Sequence, residues 1–267
     1  MKSTRLIVWL LVAACVAIDL AVIGELQVRQ NEWPGAGGVI GLGLSFSQIV
    51  LLSLWLVWGR SGVLLRGVST LLGVWGISCL ANFSTDGGPH RVGIWFGVLL
   101  LFCGVCVIPL FIAKFVGCEL SNEAAESPLA RDRRWSTNQF TIWGLLSLMT
   151  TVGITLAVLR FAEFPMPHLF EVIWFVTILA ATGCTILLLA LFLRRLYIAI
   201  LATLMISPIG GVLLSLFGPA PDDDALLLIL MTFVQGAAIL AAVVVLRTSG
   251  YRLVRSCPKQ PVAEITA

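Results

Sequence analysis

The chain has 267 residues, 59% of them hydrophobic and only 12% charged, about half the charged share of an ordinary soluble domain. That much apolar surface excludes a water-soluble globule, and a net charge of +3 is too slight for a nucleic-acid footprint. The partner that composition demands is a lipid bilayer; no nucleic acid is expected.

A hydrocarbon layer about 30 Å thick needs about 20 apolar residues per helix. Stretches of that length fall at residues 6–26, 36–58, 63–82, 92–116, 140–159, 169–193, 197–217 and 225–246. The expected fold is therefore all-α: a polytopic membrane bundle of about eight transmembrane helices with both termini inside.

The first span carries Asp19, an acid well inside an apolar stretch. A carboxylate at that depth is costly unless it is paired, hydrated or protonated, which marks an ion or proton site. The same stretch contains Leu11-Val12-Ala13-Ala14-Cys15. This run is similar to the lipobox of bacterial lipoproteins and makes Cys15 a candidate for lipidation, although the apolar run continues past it, as in an uncleaved helix.

In the second span Gly37, Gly41 and Ser45 form a small-residue stripe, repeated by Gly93 and Gly97 in the fourth, and such stripes permit close helix contact. Gln48 is an amide that must find partners in lipid. The third span is interrupted by Arg66, whose charge must snorkel towards the headgroups. The fourth holds Cys103-x-x-Cys106; a zinc or redox site there needs partner ligands, and without them the thiols read as small apolar side chains. The seven cysteines are an odd set with none in an outer loop, so no disulfide framework is implied.

Residues 117–139 read as a flexible cytoplasmic linker, acidic at its start and closing on Arg131-Asp132-Arg133-Arg134. It separates a first membrane half, 1–116, from a second, 140–246, and residues 247–267 form a cytoplasmic tail. Neither the linker nor the tail is long enough to bury a core of its own. Val16, Ile18, Leu20, Ala21 and Val22 match Val152, Ile154, Leu156, Ala157 and Val158, and Arg60 matches Arg195. Four spans per half would make such a repeat parallel rather than inverted.

From Arg133 the chain reads RRWSTNQFTIWGLLSLMTTVGITLAVLR. A basic run and a short polar stretch precede Phe140, Thr141, Ile142, Leu145 and Leu146, followed by Thr150 and Thr151 in an apolar helix. The segment resembles one common in planctomycete membrane proteins. The resemblance implies a bacterial membrane setting and no activity.

The remaining spans hold Thr182, Thr203, Ser207, Thr232 and Gln235 as polar residues, for which interhelical hydrogen bonding is the expected use. Pro109 and Pro208 are expected to bend their helices and free backbone carbonyls. On the outer side, His90, His168 and Glu171 are the candidate ligands of a divalent metal, with His168 and Glu171 three apart at a helix start. Asp222, Asp223 and Asp224 are placed to cap the last helix at its positive end.

Orientation follows from the basic residues. With the N-terminus inside, fourteen Lys and Arg residues fall on inner segments and three, Arg29, Arg91 and Arg160, on outer ones, the bias expected of a cytoplasmic face. Trp9, Trp58, Trp135 and Trp143 then lie near inner boundaries and Trp33, Trp95 and Trp174 near outer ones. The expected location is the cell (cytoplasmic) membrane.

No phosphate loop, HExxH pair or intramembrane histidine is present, so ATP hydrolysis, metalloprotease and Ser–His chemistry are not expected, and no cofactor is implied. The leading expectation is a non-enzymatic structural or accessory component with a protein partner in a membrane complex. The alternatives are a small ion-coupled secondary transporter using Asp19, with Gln48 or Gln235 near the path, and an intramembrane enzyme with the outer metal site.

Overall fold

The computed structural model describes residues 36–59, 61–84, 91–122, 169–193, 195–217 and 225–255, together with Ala17 and Ala21. Six helices are present among them: α1 (Ala36–Trp58), α2 (Val63–Ser84), α3 (Val92–Phe115), α4 (Leu169–Phe192), α5 (Leu196–Phe217) and α6 (Ala225–Thr248). Each is long and apolar enough to cross a membrane. Their limits lie within about two residues of the expected spans, because the apolar runs set them. The expected first and fifth spans lie outside the described residues, and with them Asp19 and Cys15; so do His90 and His168.

The bundle is not purely helical. Cys118–Asn122 and Tyr251–Arg255 form strands β1 and β2, paired antiparallel with Leu120 opposite Leu253. The linker therefore does not begin as free coil, nor does the tail. Gly117 and Gly250 have φ of 88° and 84°, the left-handed conformation that ends a helix with little strain at glycine. Their amides donate to Lys114 O and Arg247 O at 3.1 and 3.0 Å. The chain turns out of each helix here, and each strand supplies the other's hydrogen-bond partners.

The two halves share one register. Helices α4, α5 and α6 start 133 residues after α1, α2 and α3 (169 after 36, 196 after 63, 225 after 92), as do Gly250 after Gly117 and β2 after β1. Burial follows the same register. Five of the six buried positions of α2 (Thr70, Val74, Ile77, Ser78 and Ala81) correspond to Thr203, Ser207, Gly210, Gly211 and Leu214 of α5, all buried; the sixth, Asn82, corresponds to half-buried Ser215. So does packing: α1 packs on α2 and α3 as α4 packs on α5 and α6, and α1 meets α6 as α4 meets α3. Leu120 and Leu253 correspond and face each other. The repeats are thus related by a pseudo-two-fold axis that passes through the strand pair and runs along the bundle. Arg60 and Arg195, which match in the sequence, stand two residues out of this register.

The strand end of the bundle holds Arg66, Lys114, Arg195, Arg247 and Arg252; the opposite end of the described helices holds Arg91 and Glu171. Trp58 lies at the strand end and Trp95 and Trp174 at the other. Trp174 stacks on Phe217 with ring centroids 6.4 Å apart.

Candidate functional site: a polar seam in the second repeat

The core of the first repeat is filled by bulky side chains. Phe46, Ile49, Val50, Val74 and Phe102 are fully buried, and Phe46 meets Phe102 edge-on at 4.8 Å. In the shared register, six core positions become polar or small in the second repeat. Thr182 stands for Ile49, Gly183 for Val50, Ser207 for Val74, Gly210 for Ile77, Gln235 for Phe102 and Gly236 for Cys103.

The glycines let α4, α5 and α6 close around this seam. A methyl group on Gly183 would come 2.8 Å from Nε2 of Gln235 and 3.0 Å from Val50 across the repeat interface; one on Gly210 would meet Oγ1 of Thr182 at 2.6 Å. One on Gly236 would collide with Oγ of Ser207. The small-residue stripes expected from sequence behave differently. Gly41 and Ser45 are buried on α1, but Gly93 is exposed and no atom lies within 4 Å of a methyl built on it. Spacing alone does not say which face of a helix meets a neighbour.

Hydroxyl groups inside the helices mostly satisfy themselves. Thr182 donates to Ile178 O at 2.8 Å, Thr203 to Ala199 O at 2.8 Å and Thr232 to Ile229 O at 3.0 Å. Ser45, Ser53 and Ser78 likewise donate one turn back within their own helices. The expected interhelical use is overridden because the preceding-turn carbonyl is always within reach.

Two buried oxygens of the second repeat break that pattern, as Thr70 Oγ1 does in the first. Gln235 is fully buried, and its Nε2 donates to Leu179 O at a long 3.4 Å. Among the described residues its Oε1 and the Oγ of fully buried Ser207 have no hydrogen-bond partner. Each such group costs about 1–3 kcal/mol. Beside Ser207, Pro208 has no N–H, so Leu204 O lacks its usual helical donor. The seam is rich in acceptor oxygen and, among the described residues, holds no titratable side chain. That chemistry suits a monovalent cation, a water or a hydroxyl-bearing solute, while tight divalent sites draw on carboxylates.

Gln48, the other amide expected near a transport path, is only half-buried on α1. Glu171 lies in the first turn of α4; its expected partners His90 and His168 are outside the described residues. Among the described residues no group of three His, Cys, Asp or Glu is placed to hold a metal ion. Cys103 and Cys106 do gain neighbours that the sequence could not supply. Ser53 Oγ lies 3.4 Å from Cys103 Sγ, and Cys184 donates to Cys106 O at 3.6 Å. All three thiols are buried and reduced, and they read as packing.

Comparison with protein-family models, curated proteins and solved structures finds no match. Gln235 was a candidate from the sequence, near a transport path with Asp19, whereas Ser207 was visible only as one polar residue among many. The signal that singles them out is the bulky apolar residue at the corresponding position of the first repeat.

Proposed function

We propose that this chain is an eight-span membrane protein that binds a monovalent cation or small hydroxyl-bearing solute at Ser207 and Gln235, in the manner of a small secondary transporter. The observation that carries this reading is the buried, unpartnered Gln235 Oε1 at a position filled by an aromatic ring in the other repeat. Parallel repeats with a midplane site at their interface are a recurrent transporter plan.

The count of eight draws support from parity. Strands β1 and β2 lie together, and three described helices separate them. An odd number of crossings cannot return a chain to the side it left, and the apolar stretch at 140–159 is the segment suited to the fourth. In this reading the strand end, rich in arginine, faces the cytoplasm of a bacterial cell, by the positive-inside rule. Both termini face the same way, and Asp19 of the first span is the coupling acid.

The test is the thermal stability of the detergent-purified protein against lithium, sodium, potassium and a pH series. A cation at about 100 times its dissociation constant adds about 2.7 kcal/mol. Selective stabilisation by one monovalent cation, lost in Gln235→Leu, is expected. A flat response to every cation would reject the site and return the chain to an accessory role, for which reproducible co-purification with a partner is the measurement. Asp19→Asn is expected to abolish coupled uptake in proteoliposomes while the protein still inserts.

A further inference from the structure

Helix α1 ends in open carbonyls that a cation from α3 covers: Lys114 Nζ donates to Val57 O at 2.7 Å. The second repeat does the same at the corresponding position, where Arg247 Nη1 donates to Ala190 O at 3.2 Å. One cation from the last helix of the repeat thus reaches the helix end there. The first repeat brings a second. Arg66 Nη1 donates to Leu56 O at 2.8 Å and to the same Val57 oxygen at 3.4 Å, whereas the position corresponding to Arg66 is Ala199.

Arg66 and Lys114 therefore converge on one carbonyl, their charged nitrogens within about 6 Å of each other, where like charges repel. Among the described residues neither is ion-paired with a carboxylate; the carboxylate whose charge reaches Lys114 is that of Glu119, exposed on β1. Around them are further donors without acceptors. Among the described residues, Arg66 Nε and the Oγ of Ser61, five residues earlier in the α1–α2 turn, are buried and unpartnered. The indole nitrogen of Trp55 borders the same spot: a methyl on Gly59 would lie 3.2 Å from it and 2.8 Å from Arg66 Cδ. The surroundings are lipid-facing, with Leu64 exposed by 84%, Leu65 by 62% and Phe115 by 67%.

We infer that Arg66 and Lys114, with Trp55 and Ser61, form a cradle for the phosphate of an anionic phospholipid headgroup. A cation pair with no carboxylate in ion-pair contact and with spare donors fits a phosphate oxyanion. The flanking apolar side chains supply a surface for acyl chains, which distinguishes a lipid from free phosphate. Basic pockets between helices at the cytoplasmic boundary are places where such headgroups bind.

The test uses the full chain purified in detergent. Its thermal stability is followed while phosphatidylglycerol, phosphatidylcholine or inorganic phosphate is titrated in, and native mass spectrometry counts retained lipids. Phosphatidylglycerol is expected to raise Tm and to be retained where phosphatidylcholine is not. Lys114→Gln is expected to weaken the lipid response about fivefold, the factor that corresponds to about 1 kcal/mol per basic residue near an anionic surface. Arg195→Gln, an exposed cation at the same end, serves as the control and should leave the response intact. Equal effects of the two lipids, or equal weakening by Lys114→Gln and Arg195→Gln, overturn the cradle. A Tm rise with inorganic phosphate that matches the lipid overturns the lipid assignment in favour of a free anion. If Lys114→Gln fails to fold, Arg66→Lys, which keeps the charge and removes the fork, is read by the same titration.

Discussion

Lys114 and Arg247 make the same contact in two repeats, each donating from the last turn of its helix to the carbonyl of a residue, Val57 or Ala190, that corresponds in register. A cation at a helix C-terminus meets both an open acceptor and the negative end of the helix dipole. The pair ties α3 to α1 and α6 to α4 at the strand end of the bundle.

The two caps are not equally redundant. Val57 O keeps a bond from Arg66 when Lys114 is lost, while Ala190 O has no second cation from the position of Ala199. Arg247→Met is expected to lower stability by about 1–2 kcal/mol and Lys114→Met by less, read as Tm in one detergent. Equal losses would show that Arg66 does not compensate.

Glycines of the two repeats divide by what a methyl would meet. At Gly211 it would lie 2.5 Å from the Ile229 backbone, and at Gly236 it would strike Ser207. Gly211→Ala and Gly236→Ala are expected to cost about 1–3 kcal/mol each by forcing α5 from α6. Gly76→Ala and Gly104→Ala, with no atom within 4 Å of the new methyl, should be neutral or slightly stabilising. Comparison of the four melting temperatures checks the packing directly.

Gln235→Met replaces an amide whose Oε1 is buried without a partner by an apolar side chain of similar length. Stability is expected to stay level or rise by about 1 kcal/mol, while any cation response disappears. A site held at some cost to stability gives that trade. A marked drop in Tm would show instead that the amide is needed for packing through its bond to Leu179 O.

The strand pair places Glu119 opposite Val254. Facing residues of antiparallel strands lie about 4.5–5.5 Å apart at Cα, within reach of a disulfide. Glu119→Cys combined with Val254→Cys should cross-link within one chain on mild oxidation, seen as a mobility shift reversed by reductant. Failure to cross-link would remove both the pairing and the parity that rests on it.

Much of this was written in single residues and their local runs. The limits of the six described helices follow from the lengths of apolar sequence, and the arginines and tryptophans at each end follow from the chemistry of the bilayer boundary. Gly117 and Gly250, set after Lys114 and Arg247, hold the helix stops. The strands after them were hidden, because β1 has its partner 133 positions away and five residues alone carry no strand signal that outweighs a polar linker.

What the sequence by itself determined is a membrane bundle and the charge difference between its ends, since burial in lipid depends only on how many consecutive residues are apolar. Which residues face each other was decided by the tertiary structure. Val, Ile, Leu and Phe exchange freely in an apolar environment, so two repeats can share a fold and few letters, and only three-dimensional register aligns Phe102 with Gln235 or Arg66 with Ala199. A buried oxygen without a donor and two cations on one carbonyl are properties of neighbouring helices, and the chain's order of residues does not contain them.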